Sequence, residues 1–521
     1  MPPAGRVPDD LPDDRLPALA ARLAEPLRRA GFTVDGVAEA FGAEAGAALD
    51  RGETEPVRRL LGPDAFGVLV RVFLLDDEAA DDELAAALAP LTTDELVDAG
   101  LLRRSPGGFA AALDLRPHAD EHGSWWVFSD LDAGPAKTHD HVLGTGAASM
   151  SLARAVVRRP VATLLDLGAG CGVQTLHASG HAATLTATDV SERANTLARA
   201  TFAVSGVDVE VRTGPWWEPV AGRRFDQIVC NPPFVPGPPE VEHVYRDGGL
   251  GGDGASALLV AELPGFLTTG GVGQLLASWL ITGADLEADL GWAARPRRWL
   301  ADAVRAAGPG GLDAWVVQRD VADPALHVGT WLRDAGVDPA SPAGRARSRA
   351  WLDYFAEHDV VGIGFGFVTL RRTAEGEPGV VVCEDMRQAL GDPLGPEIEA
   401  WLDRVAWLRT HDLLDEPLVL PPTTALERGF TPAPPEDSDD GWQRIGGTLV
   451  RLDGPQWRHD LDEAGEALMA GCRGHLPLRD LLELLAVGHN RDVDELTAAA
   501  LPVVRELYLH GLVVPRPTVA L

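Results

Sequence analysis

Between residues 146 and 280, short apolar runs alternate with helical stretches, and that alternation admits few folds. Runs near 163–167, 184–188, 207–212, 225–230 and 271–279 have strand length and are rich in Leu, Val, Ile and Thr. Residues 146–158, 172–180, 191–205 and 253–267 read as helices between them. Repeated strand–helix units with short turns predict an α/β fold with a parallel sheet covered on both faces. Later apolar runs at 315–318 and 360–370 read as two more strands of that sheet. A largely helical insertion fills 323–357, and 380–384 can add one further strand.

The flanks read differently. Apolar spacings of three and four predict helices over Leu16–Ala30, Glu55–Leu61 and 82–89. Another helix is expected over 93–104, ending at Gly100, before a strand pair in 107–115. Helices followed by a small β-wing suggest a winged-helix-like module over 1–118. Residues 119–145 read as a linker holding Trp125 and Trp126. His139 and His141 alternate there, but no third ligand is placed by spacing, so both read as loop residues and no metal is expected. The acidic, proline-rich stretch 432–440 reads as an exposed linker. Beyond it, 442–521 reads as a second small helical, winged-helix-like module, with helices over Leu476–Leu485 and Val493–Leu509. Its close is expected to be a helix ended by Gly511 and then an edge strand.

At the centre of the chain, Thr163-Leu-Leu-Asp-Leu-Gly-Ala-Gly-Cys-Gly172 runs a buried strand into a glycine turn. Gly168, Gly170 and Gly172 permit positive φ and close backbone approach to a ligand. The helix opening at Val173 offers free amides and a dipole to an anionic group. A glycine turn is shared with dinucleotide enzymes, but three features separate this one. Asp166 precedes the turn. Asp189 ends the next strand, where it can accept both ribose hydroxyls, and Ser191 follows as a candidate helix cap. Last, Asp226-Gln-Ile-Val-Cys-Asn-Pro-Pro-Phe234 ends a later strand in Asn231-Pro232-Pro233-Phe234.

On these motifs residues 145–280 resemble class I S-adenosylmethionine-dependent methyltransferases with a Rossmann-like sheet. The tetrapeptide places them near the Asn-Pro-Pro-Tyr/Phe branch, which includes release-factor glutamine N5-methyltransferases and amino-methyltransferases of RNA and DNA. The resemblance implies S-adenosylmethionine as cofactor. It implies a methyltransferase domain over 119–430, with the helical insertion near 320–358, between the modules 1–118 and 442–521. It implies that Asp166 belongs to the cofactor site, that Gly168, Gly170 and Gly172 line the methionine part, that Thr145 closes over it, and that Asp189 holds the ribose. The family often places an acid after the third strand to meet the adenine. Pro215 stands there in this chain, which leaves backbone contacts and stacking on Trp216.

The tetrapeptide has its own chemistry. A planar nitrogen is a poor nucleophile because its lone pair is delocalised. The Asn231 side-chain oxygen and the Pro232 carbonyl can each accept one N–H, favouring charge on the nitrogen as it attacks. Pro232 and Pro233 stiffen the loop, so the acceptors are preorganised, and Phe234 can stack on the flat group. Tyr245 and Arg246, in the glycine-rich stretch that follows, are candidate substrate contacts. Gly251-Gly-Asp-Gly254 resembles a segment of the glutamine methyltransferases and could form part of a lid.

Composition weighs between targets. With 78 Asp and Glu against 45 Lys and Arg the net charge is −33, a surface that repels nucleic acid on average. The favoured reading is therefore a protein glutamine-type amide as substrate. The alternative is an exocyclic amine of ribosomal or transfer RNA, for which the Arg groups at 295–298 and 345–349 could serve if they are not simply solvated. A noncatalytic cofactor-binding scaffold is the third reading, and any partner subunit is unknown. No apolar run reaches the length of a membrane span, and residues 1–10 carry no apolar signal core. Four scattered cysteines suit a reducing compartment, so a cytoplasmic protein is expected. The Ala, Arg, Asp, Pro and Gly bias suggests a bacterial source.

Overall fold

The computed structural model describes residues 14–131, 138–239, 248–288, 290–433 and 441–517. The chain divides into two compact units, Met1–Ala153 with Arg158–Glu384, and Arg154–Val157 with Asp385–Leu521.

The first unit is built on an eight-stranded sheet. Its strands are β1 (Val161–Leu167), β2 (Ala182–Asp189), β3 (Glu210–Thr213), β4 (Phe225–Cys230), β5 (Leu267–Thr282), β6 (Gly310–Ala322), β7 (Val360–Glu375) and β8 (Val381–Asp385). Their order across the sheet is β8-β6-β7-β5-β4-β1-β2-β3. Strands β3, β2, β1, β4 and β5 run parallel, while β7 is antiparallel to both β5 and β6. This is the Rossmann-like methyltransferase fold, mixed α/β as expected. Leu164, Leu165, Ile228 and Val229 are buried because helices cover both faces. Helices α1 (Ala147–Ala155), α2 (Val173–Ala178), α3 (Glu192–Ser205) and α4 (Gly254–Glu262) accompany the first strands. Ser191 caps α3 through the amide of Ala194, and Gly206 ends it at φ 70°.

Three expectations about boundaries change. Residues 119–145 are not a bare linker. Asp114–Ala119 and Ser124–Ser129 form a hairpin that lies on α3. There the Phe128 amide donates to Thr201 Oγ1 at 3.0 Å, and Trp126 Nε1 donates to the Phe32 carbonyl at 2.6 Å. The N-terminal segment shares a core with the sheet domain, since Leu23, Phe32, Phe73 and Phe128 belong to one buried cluster with Leu176, Leu197 and Phe202. Finally, the strands on either side of the acidic, proline-rich stretch pair with each other, while residues 434–440, expected as an exposed linker, lie outside the described residues. Thr424–Pro432 pairs with Trp442–Arg451, Pro432 standing opposite Trp442.

After helix α5 (Ala294–Ala307) and β6 comes the helical insertion, which consists of α6 (Pro324–Asp334) and α7 (Pro342–Glu357). Each starts with proline just after a capping residue, Asp323 or Ser341, the usual opening of a helix. Val328, Leu332 and Phe355 of this pair pack on Leu280, Val360 and Ile363 of the long strands.

The second unit holds a three-stranded antiparallel sheet completed by Arg458–Leu461, a second small sheet, and helix α8 (Val493–Leu509). Gly511 follows α8 at φ 67°, and Val514–Pro515 pairs at the edge with Leu418–Val419. Among the described residues no helix is long and apolar enough to cross a membrane.

Candidate active site

Strand order reverses at β1, whose neighbours are β2 and β4. In parallel α/β sheets such a switch point opens a crevice at the carboxyl ends of the strands. Register places Leu167 beside Cys230 and Thr188. The glycine turn, Asp189 and Asn231 therefore leave the sheet at the same edge.

The turn folds back on β2, with the Gly168 and Ala169 amides donating to the Thr188 carbonyl at 2.8 and 2.9 Å. Gly168, Gly170 and Gly172 have φ of 74°, 55° and 89°. They are not equivalent. A Cβ on Gly168 or Gly170 would meet nothing within 4 Å, whereas one on Gly172 would lie 2.5 Å from the Phe202 ring. Gly168 and Gly170 thus border open space fit for a ligand, while Gly172 is buried by packing.

The two acids also differ from each other. Asp166 is fully buried, and its Oδ2 accepts from the Thr175 amide at 3.0 Å and hydroxyl at 2.7 Å. The first turn of the six-residue α2 thus spends an amide on the protein itself. Burial pushes the Asp166 carboxyl up to about 7, against the Thr175 bonds and helped by the nearby Asp189 charge. Asp189 accepts from the Gly170 amide through Oδ2 and from the Ser191 amide through Oδ1, both at 2.9 Å. Desolvation raises its pKa despite these bonds. An ionised carboxylate has about four acceptor sites, so ribose hydroxyls can still be received.

Asn231 is the most informative residue here. Its Nδ2 donates to Ser149 Oγ at 3.1 Å, and the Ser149 carbonyl accepts from Gln174 Nε2 at 2.7 Å. Helices α1 and α2 thereby set which way the Asn231 amide faces. Its Oδ1 is buried without a hydrogen-bond partner, as are Asp166 Oδ1 and Gln174 Oε1. Such orphaned acceptors are costly in a finished core, and a ligand supplying donors here would satisfy them. Ser149 and Gln174 went unnoticed in the sequence. The available signals were a hydroxyl one turn after Thr145 and a polar residue just inside the helix after Gly172.

Pro232 is buried and Pro233 half-buried. Half-buried Phe234 meets Phe365 of β7 at 5.2 Å between ring centroids and Trp331 of α6 edge-on at 6.2 Å. The insertion thus touches the motif loop, and His327 Nε2 bonds to the Pro236 carbonyl at 2.9 Å. Trp216 is half-buried at φ 45°, rare for a bulky residue. Thr145 is exposed at the segment entering α1, and Tyr245 and Arg246 lie outside the described residues.

The Gly251–Gly254 segment is held rather than free. The buried Asp253 carboxylate takes Arg295 in two bonds of 2.5 Å and the Leu280 amide at 2.9 Å. Gly252 pairs with Gly237 at 2.8 Å. Arg295 is thereby removed from the candidate nucleic-acid contacts, and Arg298 is paired with Asp285. Cys171 and Cys230 are buried, with thiols pushed up to about 12 and well above the usual value.

Residues 144–246 match the model of the methyltransferase small domain. This segment is a class I methyltransferase domain. The cofactor of that class is S-adenosylmethionine, which the open space over Gly168 and Gly170 and the orphaned acceptors fit. Residues 29–112 and 399–515 match two domains of unknown function, DUF7059 and DUF7782. The ribosomal RNA small subunit methyltransferase C of Salmonella choleraesuis is 32% identical over 161 residues, 30% of this chain and 45% of the relative. That of Salmonella typhi is 34% identical over 119 residues, 22% of this chain and 34% of the relative. The chain therefore spans less than half the length of these curated relatives. Among solved structures, a T. thermophilus 16S rRNA N2 methyltransferase in complex with AdoMet and guanosine is 19% identical. It covers 34% of this chain and 48% of its own, with a TM-score of 0.24.

Proposed function

We propose that the chain is an S-adenosylmethionine-dependent N-methyltransferase whose acceptor is an exocyclic amine of an RNA base. The observation that carries this is the Asn231 amide, turned by Ser149 so that an unpartnered oxygen is left at the carboxyl edge of the sheet. That oxygen and the Pro232 carbonyl each accept one N–H of the target, leaving the nitrogen lone pair aimed at the methyl group. The donor supplies an activated methyl on its sulfonium. Gly168 and Gly170 hold its methionine end beneath Thr145, Asp189 its ribose and Trp216 its adenine, while Asp166 braces the turn from below. Phe234 stacks on the base, and Trp331 and Phe365 hold its ring plane. Rate enhancement comes mainly from positioning and from the preorganised acceptors.

RNA is preferred over the glutamine-type amide expected from the sequence. The glycine-rich segment that favoured glutamine is committed to Arg295, so it no longer speaks for a protein substrate. The curated relatives are named as ribosomal RNA methyltransferases. The charge of −33 does not oppose this if recognition runs through base stacking more than through phosphates.

The test is methyl transfer from radiolabelled donor to a cell extract of RNA and protein. Label should be lost to nuclease and survive protease. In N231A transfer should fall at least ~100-fold, the scale of losing one preorganised charge-stabilising group, with donor affinity by calorimetry kept within about three-fold. Label lost to protease, or full turnover in N231A, would reject the assignment.

A further inference from the structure

We propose that the second unit binds one Zn2+ through His459, Glu506 and His510, joining the strand Arg458–Leu461 to the end of α8. Glu506 and His510 are four residues apart, so they share one face at the last turn of the helix and its cap. His459 projects from the strand, whose register sets it opposite Leu449. Its Nε2 lies 2.7 Å from His510 Nδ1, and a ligand atom from each of the three residues lies within 4.8 Å of the others.

Two imidazole nitrogens facing each other at this distance share one proton or together receive a cation. The third donor favours the cation. Glu506 is exposed, and its carboxylate has no hydrogen-bond or ion-pair partner among the described residues. Two His nitrogens with a carboxylate oxygen are the donor set of open tetrahedral zinc sites, which keep a fourth position for water. In that geometry, with Zn–N near 2.0–2.1 Å, the two nitrogens stand about 3.3 Å apart. The pair has only to open by about half an ångström, within the reach of small side-chain rotations.

The surroundings are already arranged. His510 is 4% exposed, and its ring is stacked flat on Trp457 at 4.0 Å between centroids. Its carbonyl accepts from Arg451 at 2.9 Å. The Arg451 charge is met by Glu397 and Asp453. With His510 buried, His459 half-buried and Glu506 exposed, the ion would enter from the solvent side and take water as its fourth ligand.

The test uses the full chain stripped with a chelator and titrated with Zn2+ against a chromophoric competitor. The wild type should take up one equivalent and rise in melting temperature. H459A and H510A should lose that equivalent. E506Q changes an exposed residue and keeps the fold, and it should weaken uptake at least ten-fold and lose the rise in melting temperature. No stoichiometric uptake by the wild type, or uptake unchanged in E506Q, would overturn the proposal.

Discussion

In the proposed reaction Asn231 acts through one atom, the Oδ1 left unpartnered while Nδ2 is bonded to Ser149. If the amide were flipped, its Nδ2 would face the target and repel an N–H. In the structure Nδ2 donates to Ser149 Oγ at 3.1 Å, which leaves Oδ1 without a partner. S149A should therefore lower kcat by about ten-fold, the worth of roughly one hydrogen bond, with KM for the donor and the melting temperature nearly unchanged. S149T should restore most of the rate. An unaltered kcat in S149A would mean that the amide is oriented by something else. The motif residues were legible because they are contiguous, each short run ending a strand. Ser149 and Gln174 were not. They meet Asn231 from two helices far apart in sequence, and nothing local to either residue announces that contact.

At the scale of elements, the N-terminal hairpin is joined to α2 by a buried relay. Asp120 Oδ2 accepts from His177 Nδ1 at 2.7 Å and from Arg158 at 2.8 Å. The remaining His177 nitrogen then accepts from His118 Nε2 at 2.8 Å. Burial, reinforced by His177, pushes His118 down to about 4, and burial also lowers His177. The folded state thus resists protons that the unfolded chain takes up near the ordinary His value of ~6.5. Stability carried by His118 is complete above that value and falls as pH drops toward 4. Compared with H118Q, the wild type should lose about 2 kcal/mol more between pH 7 and 4.5 in denaturant titrations. Equal losses would place the sensitivity elsewhere. The strands here illustrate what sequence reading misses. Residues 119–145 read as a linker because the hairpin is short and its two tryptophans are adjacent rather than alternating with polar residues, yet Trp125 and Trp126 are buried against neighbours distant in sequence.

At the scale of the whole molecule, the parallel sheet was readable because strands buried on both faces are continuously apolar. The division into units was not, because it depends on which helices share a core. The cluster that contains Leu16 and Phe32 also contains Leu197 and Phe202. A fragment beginning at residue 119 should therefore show no cooperative thermal transition, while the full chain melts cooperatively; a sharp transition in the fragment would restore the notion of a separable N-terminal module. The central claim concerns chemistry, and one measurement reaches it most directly: mass spectrometry of nucleosides from RNA incubated with labelled donor and either wild type or N231A. A base carrying the labelled methyl on its exocyclic nitrogen with the wild type, and its near absence with N231A, is the expected result. Label confined to protein, or the same methylated base at equal yield from both, would contradict it.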